Sequence, residues 1–351
     1  MSGKVLHVSE AFGGGIVSSL YSFAANSAEC EHHLLVCERK DQPLSKDLGT
    51  KFASITSMRR TILGAIADIR RKVAELNPDY VHLHSSYAGV FGRLAGLEPQ
   101  RVIYSPHGFP FERLSAPIIV RGIYYAVEKI LSRRSSSFAG VSLDEVQRAQ
   151  SMRRGVRAIF VPNTSDMTPG KSGLIAHSDS WPVKIACVGR LCMQKDPDFL
   201  IQTIGALPGH VREQLSITWV GSGDTTMAEQ LLALGVRVTG WVTHEEAAQE
   251  LEACDLYFHV AAWEGFPMTV IEAAALRRPI LLRRIRAFNG FNLPADALVD
   301  NPGQAAERLV HWIQDPSFRC APQLLAEKVR EITSPDRQRA ALRELYQARV
   351  A

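Results

Sequence analysis

The feature that most constrains this chain is an alternation, repeated twice, of short apolar runs with longer helical ones. In the first half the strand-like runs are Val5 to Ser9, Leu34 to Cys37, Tyr80 to His84, Val102 to Ser105 and Ser137 to Val141. Between them lie Val17 to Ala28, Thr61 to Leu76, Ser86 to Leu94 and Pro117 to Leu131, which read as helices. Continuously apolar strands separated by helices argue for a parallel sheet covered on both faces. The pattern pauses at Pro162 to Pro182, a polar stretch with Gly170, Gly173 and three prolines. It restarts with Val183 to Val188, Phe199 to Leu207, Ile217 to Gly221, Thr225 to Leu234 and Asp255 to Val260. The expected fold is α/β, with two tandem Rossmann-like doubly wound domains over 1–165 and 183–334 and a linker at 166–182. A terminal helix over 335–351 can dock anywhere by sequence alone, the N-terminal domain being one place for it. Ligands bind outside the carboxyl ends of such strands, so the two domains are expected to share a cleft.

The length of 351 residues already favours two cores over one. An apolar share of 46% and a charged share of 22% are those of a soluble globular protein. The six cysteines lack C-x-x-C spacing and read as reduced thiols of a cytoplasmic protein. The chain opens directly into Lys4-Val5-Leu6-His7-Val8 with no signal region, and no run reaches the ~18 apolar residues of a membrane span. Residues 1 to 165 hold 21 Lys and Arg against 14 Asp and Glu. That excess suggests an anionic partner; without a zinc-finger or RRM signature, an anionic membrane surface is favoured over nucleic acid. The amphipathic run Pro117 to Arg134, apolar with a basic end, fits either a helix covering the core or an interfacial helix touching anionic lipid.

Chemistry concentrates at Ala262 to Ala274, where Glu264 precedes Gly265, Phe266 and Pro267, and Glu272 follows. Proline suits the first turn of a helix, so a helix is expected from near Pro267. Its unpaired N–H groups, around Phe266 to Thr269, form an anion site flanked by the two acids. The strand Val183 to Val188 runs into Gly189-Arg190, with Lys195 close behind; a planar guanidinium and a mobile ammonium can neutralise a diphosphate without a metal. Phe12-Gly13-Gly14-Gly15 is either a phosphate-approaching loop or a tight turn. His107 follows a strand and is expected to contact ligand, whereas His82 and His84 are read as structural. No His-x-x-x-His cluster offers a metal site.

Taken together these motifs resemble the family 4 retaining glycosyltransferases, which place two Rossmann-like domains in the GT-B arrangement. The resemblance covers nearly the whole chain. It rests on Gly13-Gly14-Gly15, Val81 to Ser85, His107-Gly108, Val161-Pro162-Asn163, Gly189-Arg190 with Lys195, Val220 to Gly223, Thr239 to Val242, and Glu264 to Pro267 with Glu272-Ala273. It implies an acceptor-binding first domain and a second domain that binds a nucleotide sugar, with a UDP-sugar favoured over a GDP-sugar. The nucleotide sugar is substrate, and no cofactor or metal is expected. Arg190 and Lys195 would hold the diphosphate, Glu264 the donor sugar, Glu272 the ribose and His107 the sugar near the reacting carbon. Gly14, Gly15, Phe266, Pro267, Met268 and Thr269 would bind phosphate and sugar, and Gly240, Trp241 and Val242 would border the base. The implied reaction moves a sugar, with retention, to a glycan or lipid-linked acceptor in surface polysaccharide synthesis, at the inner face of the membrane. A noncatalytic nucleotide-sugar or glycan-binding partner subunit and a nucleotide-sugar epimerase are the competing readings. The chain departs from the family at Arg277, where a glycine is frequent, and over Arg283 to Gly290, where a glycine pair is usual.

Overall fold

The computed structural model describes residues 3–10, 15–37, 51–169 and 181–347. The chain divides into two compact units, Met1–Thr164 with Thr333–Ala351, and Ser165–Ile332. The first unit contains β1 (Lys4–Ser9), α1 (Gly15–Asn26), β2 (Glu31–Val36), β3 (Ser54–Ser57), α2 (Ile62–Leu76) and β4 (Tyr80–His84). It continues with α3 (Ser86–Leu94), β5 (Val102–Ser105), α4 (Ile118–Leu131), β6 (Ser137–Gly140), α5 (Leu143–Met152) and β7 (Arg157–Phe160). Its strands form one parallel sheet in the order β3-β2-β1-β4-β5-β6-β7.

The second unit runs through β8 (Val183–Val188), α6 (Pro197–Ala206), α7 (Gly209–Arg212), β9 (Leu215–Val220), α8 (Thr225–Ala233), β10 (Arg237–Val238) and α9 (His244–Ala253). It closes with β11 (Leu256–His259), α10 (Met268–Ala275), β12 (Ile280–Arg283), β13 (Leu298–Val299), α11 (Pro302–Gln314) and α12 (Cys320–Ile332). Its sheet is also parallel, ordered β10-β9-β8-β11-β12-β13. Both units therefore show the doubly wound order expected from the alternation, each reversing direction beside its first strand. Those reversals, β1 against β4 and β8 against β11, are where such sheets open a crevice for ligands.

Strand alternation assigns the core. On one face of the first sheet Leu6, Val8, Val81, Leu83 and Tyr104 pack with Ile69 of α2 and Phe91 of α3. On the other, Val5, Tyr80 and Ile103 pack with Phe23 of α1 and with Leu342, Leu345 and Tyr346 of a last helix, α13 (Pro335–Gln347). That helix is fastened by Gln338, whose Nε2 donates to the Pro162 carbonyl (2.7 Å) and Ser22 Oγ (3.1 Å) while its Oε1 accepts from Asn26 Nδ2 (2.6 Å).

Helix α4 turns few of its apolar residues inward, Tyr124 and Leu131 among them. Only Glu128 and Leu131 of its fourteen residues are buried. Glu128 meets Arg93 at 2.8 Å and accepts from the Tyr104 hydroxyl at 3.0 Å. Ile118, Ile119, Ile123 and Ile130 instead stand 81, 76, 56 and 71% exposed. The polar group that must be paired inside turns the helix, and the isoleucines go out.

Candidate active site

In the second unit the loops after β8 and β9 lie against each other. Trp219 Nε1 donates to the Gly189 carbonyl (2.9 Å) and Leu191 N to the Ser222 carbonyl (2.9 Å). The approach needs glycine: at Gly221 (φ 137°) an added Cβ would fall 2.2 Å from the Gly189 carbonyl oxygen, and at Gly223 equally close to that of Leu191. This packing fixes the turn that presents Arg190, which is exposed and has no ion pair or hydrogen bond among the described residues.

Lys195 reaches across the switch point to the segment after β11. Its Nζ lies 2.6 Å from Glu264 Oε1, an ion-pair distance without the alignment of a hydrogen bond. The two loops are tied beside this pair by Ala262 N to the Gln194 carbonyl (2.9 Å) and Gln194 Nε2 to the Trp263 carbonyl (3.2 Å). Pro267 is the N-cap of α10, so the N–H groups of Met268 and Thr269 open the first turn without intrahelical acceptors. The Thr269 hydroxyl is held by Tyr257 OH at 2.7 Å. The Phe266 ring is buried edge-on against Phe288 and Phe291.

Glu272, one turn further into α10, is buried and accepts from His244 Nε2 at 3.2 Å. That hydrogen bond pushes the His244 pKa up. His244 is placed by a capping box at the start of α9, where Thr243 and Glu246 exchange bonds. Gly240 (φ 76°) bridges to Gly221, Val242 is half-buried and Trp241 is 71% exposed. The arginines of the departing segment are partly spoken for: Arg283 pairs with Asp196 (2.5 Å), donates to the Val260 carbonyl (3.0 Å) and stacks on Phe199, and Arg284 pairs with Asp300. Arg277 takes φ 57°, in the left-handed region that glycine adopts most easily. His259, at the end of β11, borders a cavity of about 10 Å³ with Lys195 and Tyr257. Burial, Lys195 and Arg283 all hold this imidazole neutral, and neither ring nitrogen has a hydrogen-bond partner among the described residues.

In the first unit His107 has φ 52° and follows β5, and its Nε2 lies 3.0 Å from His84 Nδ1. Burial drives its pKa down to about 4, so it is neutral at pH 7. The next peptide is anchored by Glu145, which accepts from Gly108 N (2.5 Å) and Val141 N (2.8 Å) and whose own pKa burial raises to about 8. Gly15 begins α1, its carbonyl accepting from Ser19 Oγ at 3.0 Å; Gly14 lies outside the described residues. The sheet also gathers His7, His82 and His84 with ligand atoms within 4.8 Å, a spacing no local motif announces. All six of their ring nitrogens already meet hydrogen-bond partners.

Two protein families match these two units. The Glycosyl transferase 4-like domain matches residues 14–164 and the Glycosyl transferases group 1 domain residues 182–315. The chain belongs to the glycosyltransferases. Among relatives of this glycosyltransferase, an uncharacterized 41.2 kDa protein of the Klebsiella pneumoniae cps region is 24% identical over 298 residues, 80% of this chain and 81% of that protein. The Escherichia coli UDP-Gal:alpha-D-GlcNAc-diphosphoundecaprenol alpha-1,3-galactosyltransferase is 23% identical over 242 residues, 60% of this chain and 59% of that enzyme. Anabaena HepE, crystallised with UDP-glucose, shares the GT-B fold with a TM-score of 0.79 at 15% identity, covering 99% of this chain and all of HepE. Among the described residues no helix is long and apolar enough to cross a membrane.

The motif residues Lys195, Glu264 and the start of α10 thus come together, with Glu272 beside His244. Sequence reading missed His244, His259 and the partners of His107. The only local signal for His244 was the Thr-x-x-Glu capping pattern around it.

Proposed function

We propose that the chain is a retaining transferase that moves a sugar from a UDP-sugar to a glycan or lipid-linked acceptor during surface polysaccharide assembly. The observation that carries this is the convergence, at one switch point, of Lys195, Glu264 and the open first turn of α10, with Arg190 exposed on the loop just before Lys195 and without a side-chain partner among the described residues. A diphosphate finds there two cations and a row of N–H donors, with Lys195 shared between it and Glu264. Glu272 takes the ribose hydroxyls, Gly240 to Val242 border the base, Glu264 contacts the sugar, and His107 and Gly15 of the first unit are further ligand contacts. A UDP-linked donor is supported by HepE, crystallised with UDP-glucose, and by the E. coli relative, whose donor is UDP-Gal. The lipid-linked acceptor follows that same enzyme, and the polysaccharide setting follows the cps-region relative.

Retention by two displacements needs a free carboxylate nucleophile, and Glu264 is committed to Lys195. The reaction then runs on one face of the sugar. The anomeric carbon parts from the phosphate oxygen as the acceptor oxygen bonds to it, and the acceptor proton passes to the departing phosphate. Arg190 and Lys195 stabilise the charge that develops on that leaving group and so do the work a divalent ion would otherwise do.

Arg190→Ala and Lys195→Ala are expected to lower kcat for UDP-sugar consumption by about 10²–10³-fold with the thermal midpoint little changed. EDTA should leave the wild-type rate intact. Wild-type turnover in either variant overturns the assignment.

A further inference from the structure

Four histidines from separate segments of the first unit stand in one hydrogen-bonded line. His107 Nε2 is 3.0 Å from His84 Nδ1, His84 Nε2 is 3.0 Å from His7 Nδ1, and His7 Nε2 is 2.9 Å from His32 Nδ1. The line ends where His32 Nε2 meets the Ser27 carbonyl at 2.9 Å and the Ser27 hydroxyl at 3.1 Å. Strand register makes the line: Val5 pairs with His32, His7 with His82 and Ser9 with His84, so alternate residues of β1, β2 and β4 share one face.

Burial lowers the pKa of all four rings, and each is a neutral imidazole with one N–H and one bare nitrogen. A carbonyl can only accept. The Ser27 hydroxyl proton is already given to the Phe23 carbonyl at 2.6 Å, so the hydroxyl too can only accept from His32. His32 therefore carries its proton on Nε2 and presents a bare Nδ1 to His7. The same choice is then forced on His7, on His84 and on His107 in turn.

We infer that the Ser27 carbonyl fixes the tautomer of His107 through His32, His7 and His84, so that His107 meets its ligand with a bare Nδ1 that accepts a hydrogen bond. This rests on the reading of His107 as a ligand contact. A sugar hydroxyl satisfies such a nitrogen, whereas a carboxylate or phosphate oxygen would face it lone pair to lone pair. The far end is buried and offers no base, so the line orients protons and conducts none. His84, His7 and His32 are positioning residues.

The test is the ring-nitrogen spectrum of 15N-histidine-labelled protein at pH 7, which distinguishes N–H from bare nitrogens. All four rings should show the proton on Nε2 in the wild type. A proton on His107 Nδ1, or averaged tautomers, overturns the inference without any variant. His7→Phe removes the acceptor for His84 and should release His107 into mixed tautomers. His7→Gln, whose amide oxygen accepts from His84 and whose amide nitrogen donates to His32, should restore the single form. A role in stability alone would leave the tautomer unmoved in both. Adding UDP-glucose or UDP-galactose separates the underlying reading: a shift at His107 Nδ1 supports ligand contact, and an unmoved signal removes His107 from the ligand while the tautomer line stands.

Discussion

Lys195 sits between two demands. Its ammonium is within ion-pair distance of Glu264, and the same charge is the one a diphosphate would seek. Both side chains are largely covered, at 18 and 13% exposure, so separating them is costlier than breaking a surface pair. A donor that brings its own negative charge then shares Lys195 with Glu264, so the carboxylate stays paired through Oε1 while its other oxygen is left for the sugar. His107 shows the opposite electrostatics, a titratable group kept uncharged by burial. Its native pKa of about 4 lies below the ordinary imidazole value of ~6.5, so the unfolded chain binds a proton that the native one refuses. Native stability is therefore undiminished by His107 above pH ~6.5 and falls as pH drops from there toward 4. The stability difference between wild type and His107→Asn should therefore shrink over that interval, by at most about 1.4 kcal/mol per pH unit for one proton. Urea denaturation at a series of pH values reads it, and a difference independent of pH contradicts the buried neutral state.

At the scale of elements, α4 is the one that runs against ordinary expectation. Its inward side carries Glu128, paired to Arg93, and its isoleucines face outward beside the exposed Lys129, Arg133 and Arg134. An exposed apolar stripe with a basic end is the composition of a helix that lies in an anionic bilayer interface. We propose this face as the contact with the membrane that bears a lipid-linked acceptor. Binding to vesicles containing phosphatidylglycerol should weaken with salt, each basic residue being worth about 1 kcal/mol. Ile119→Asp should abolish it while donor turnover in solution continues. Equal sedimentation of wild type and variant with such vesicles rejects the proposal. Helices α9 and α10 illustrate a quieter rule, that a cap can be chemistry at one remove: the capping box starting α9 is what brings His244 to Glu272.

For the molecule as a whole, the chain leaves the first unit after Thr164 and returns to it from Thr333. Helix α13 then completes a core begun more than three hundred residues earlier, with Leu342 fully buried beside Val5 and Phe23, and with the Tyr346 hydroxyl 2.8 Å from His82 Nδ1. All five tryptophans lie in the second unit. Leu342→Ala should cost the first unit about 2–5 kcal/mol. The far-UV circular dichroism transition in urea should gain an early component while tryptophan fluorescence keeps its midpoint. Coincident earlier transitions by both probes would mean that the damage is not confined to the first unit.

The sequence by itself determined the doubly wound architecture and most of its strands, because apolar runs, helical periodicity and breakers are local. Tyr80 to His84, Ser86 to Leu94 and Val183 to Val188 were legible to the residue. So were the glycine, arginine and lysine after β8 and the two acids around α10 as a set, since their types and spacing suffice to suggest an anion site. Short or weakly apolar elements such as β3, β10 and α9 were not, their stability coming from neighbours rather than from propensity. Only the tertiary structure decided which side of α4 faces in, because periodicity marks an apolar stripe without saying what covers it. It alone joined Lys195 to Glu264, sixty-nine positions on, and threaded His32, His7, His84 and His107 into one line. Parallel pairing of distant strands sets those neighbours, and the register that sets it is a property of the folded sheet.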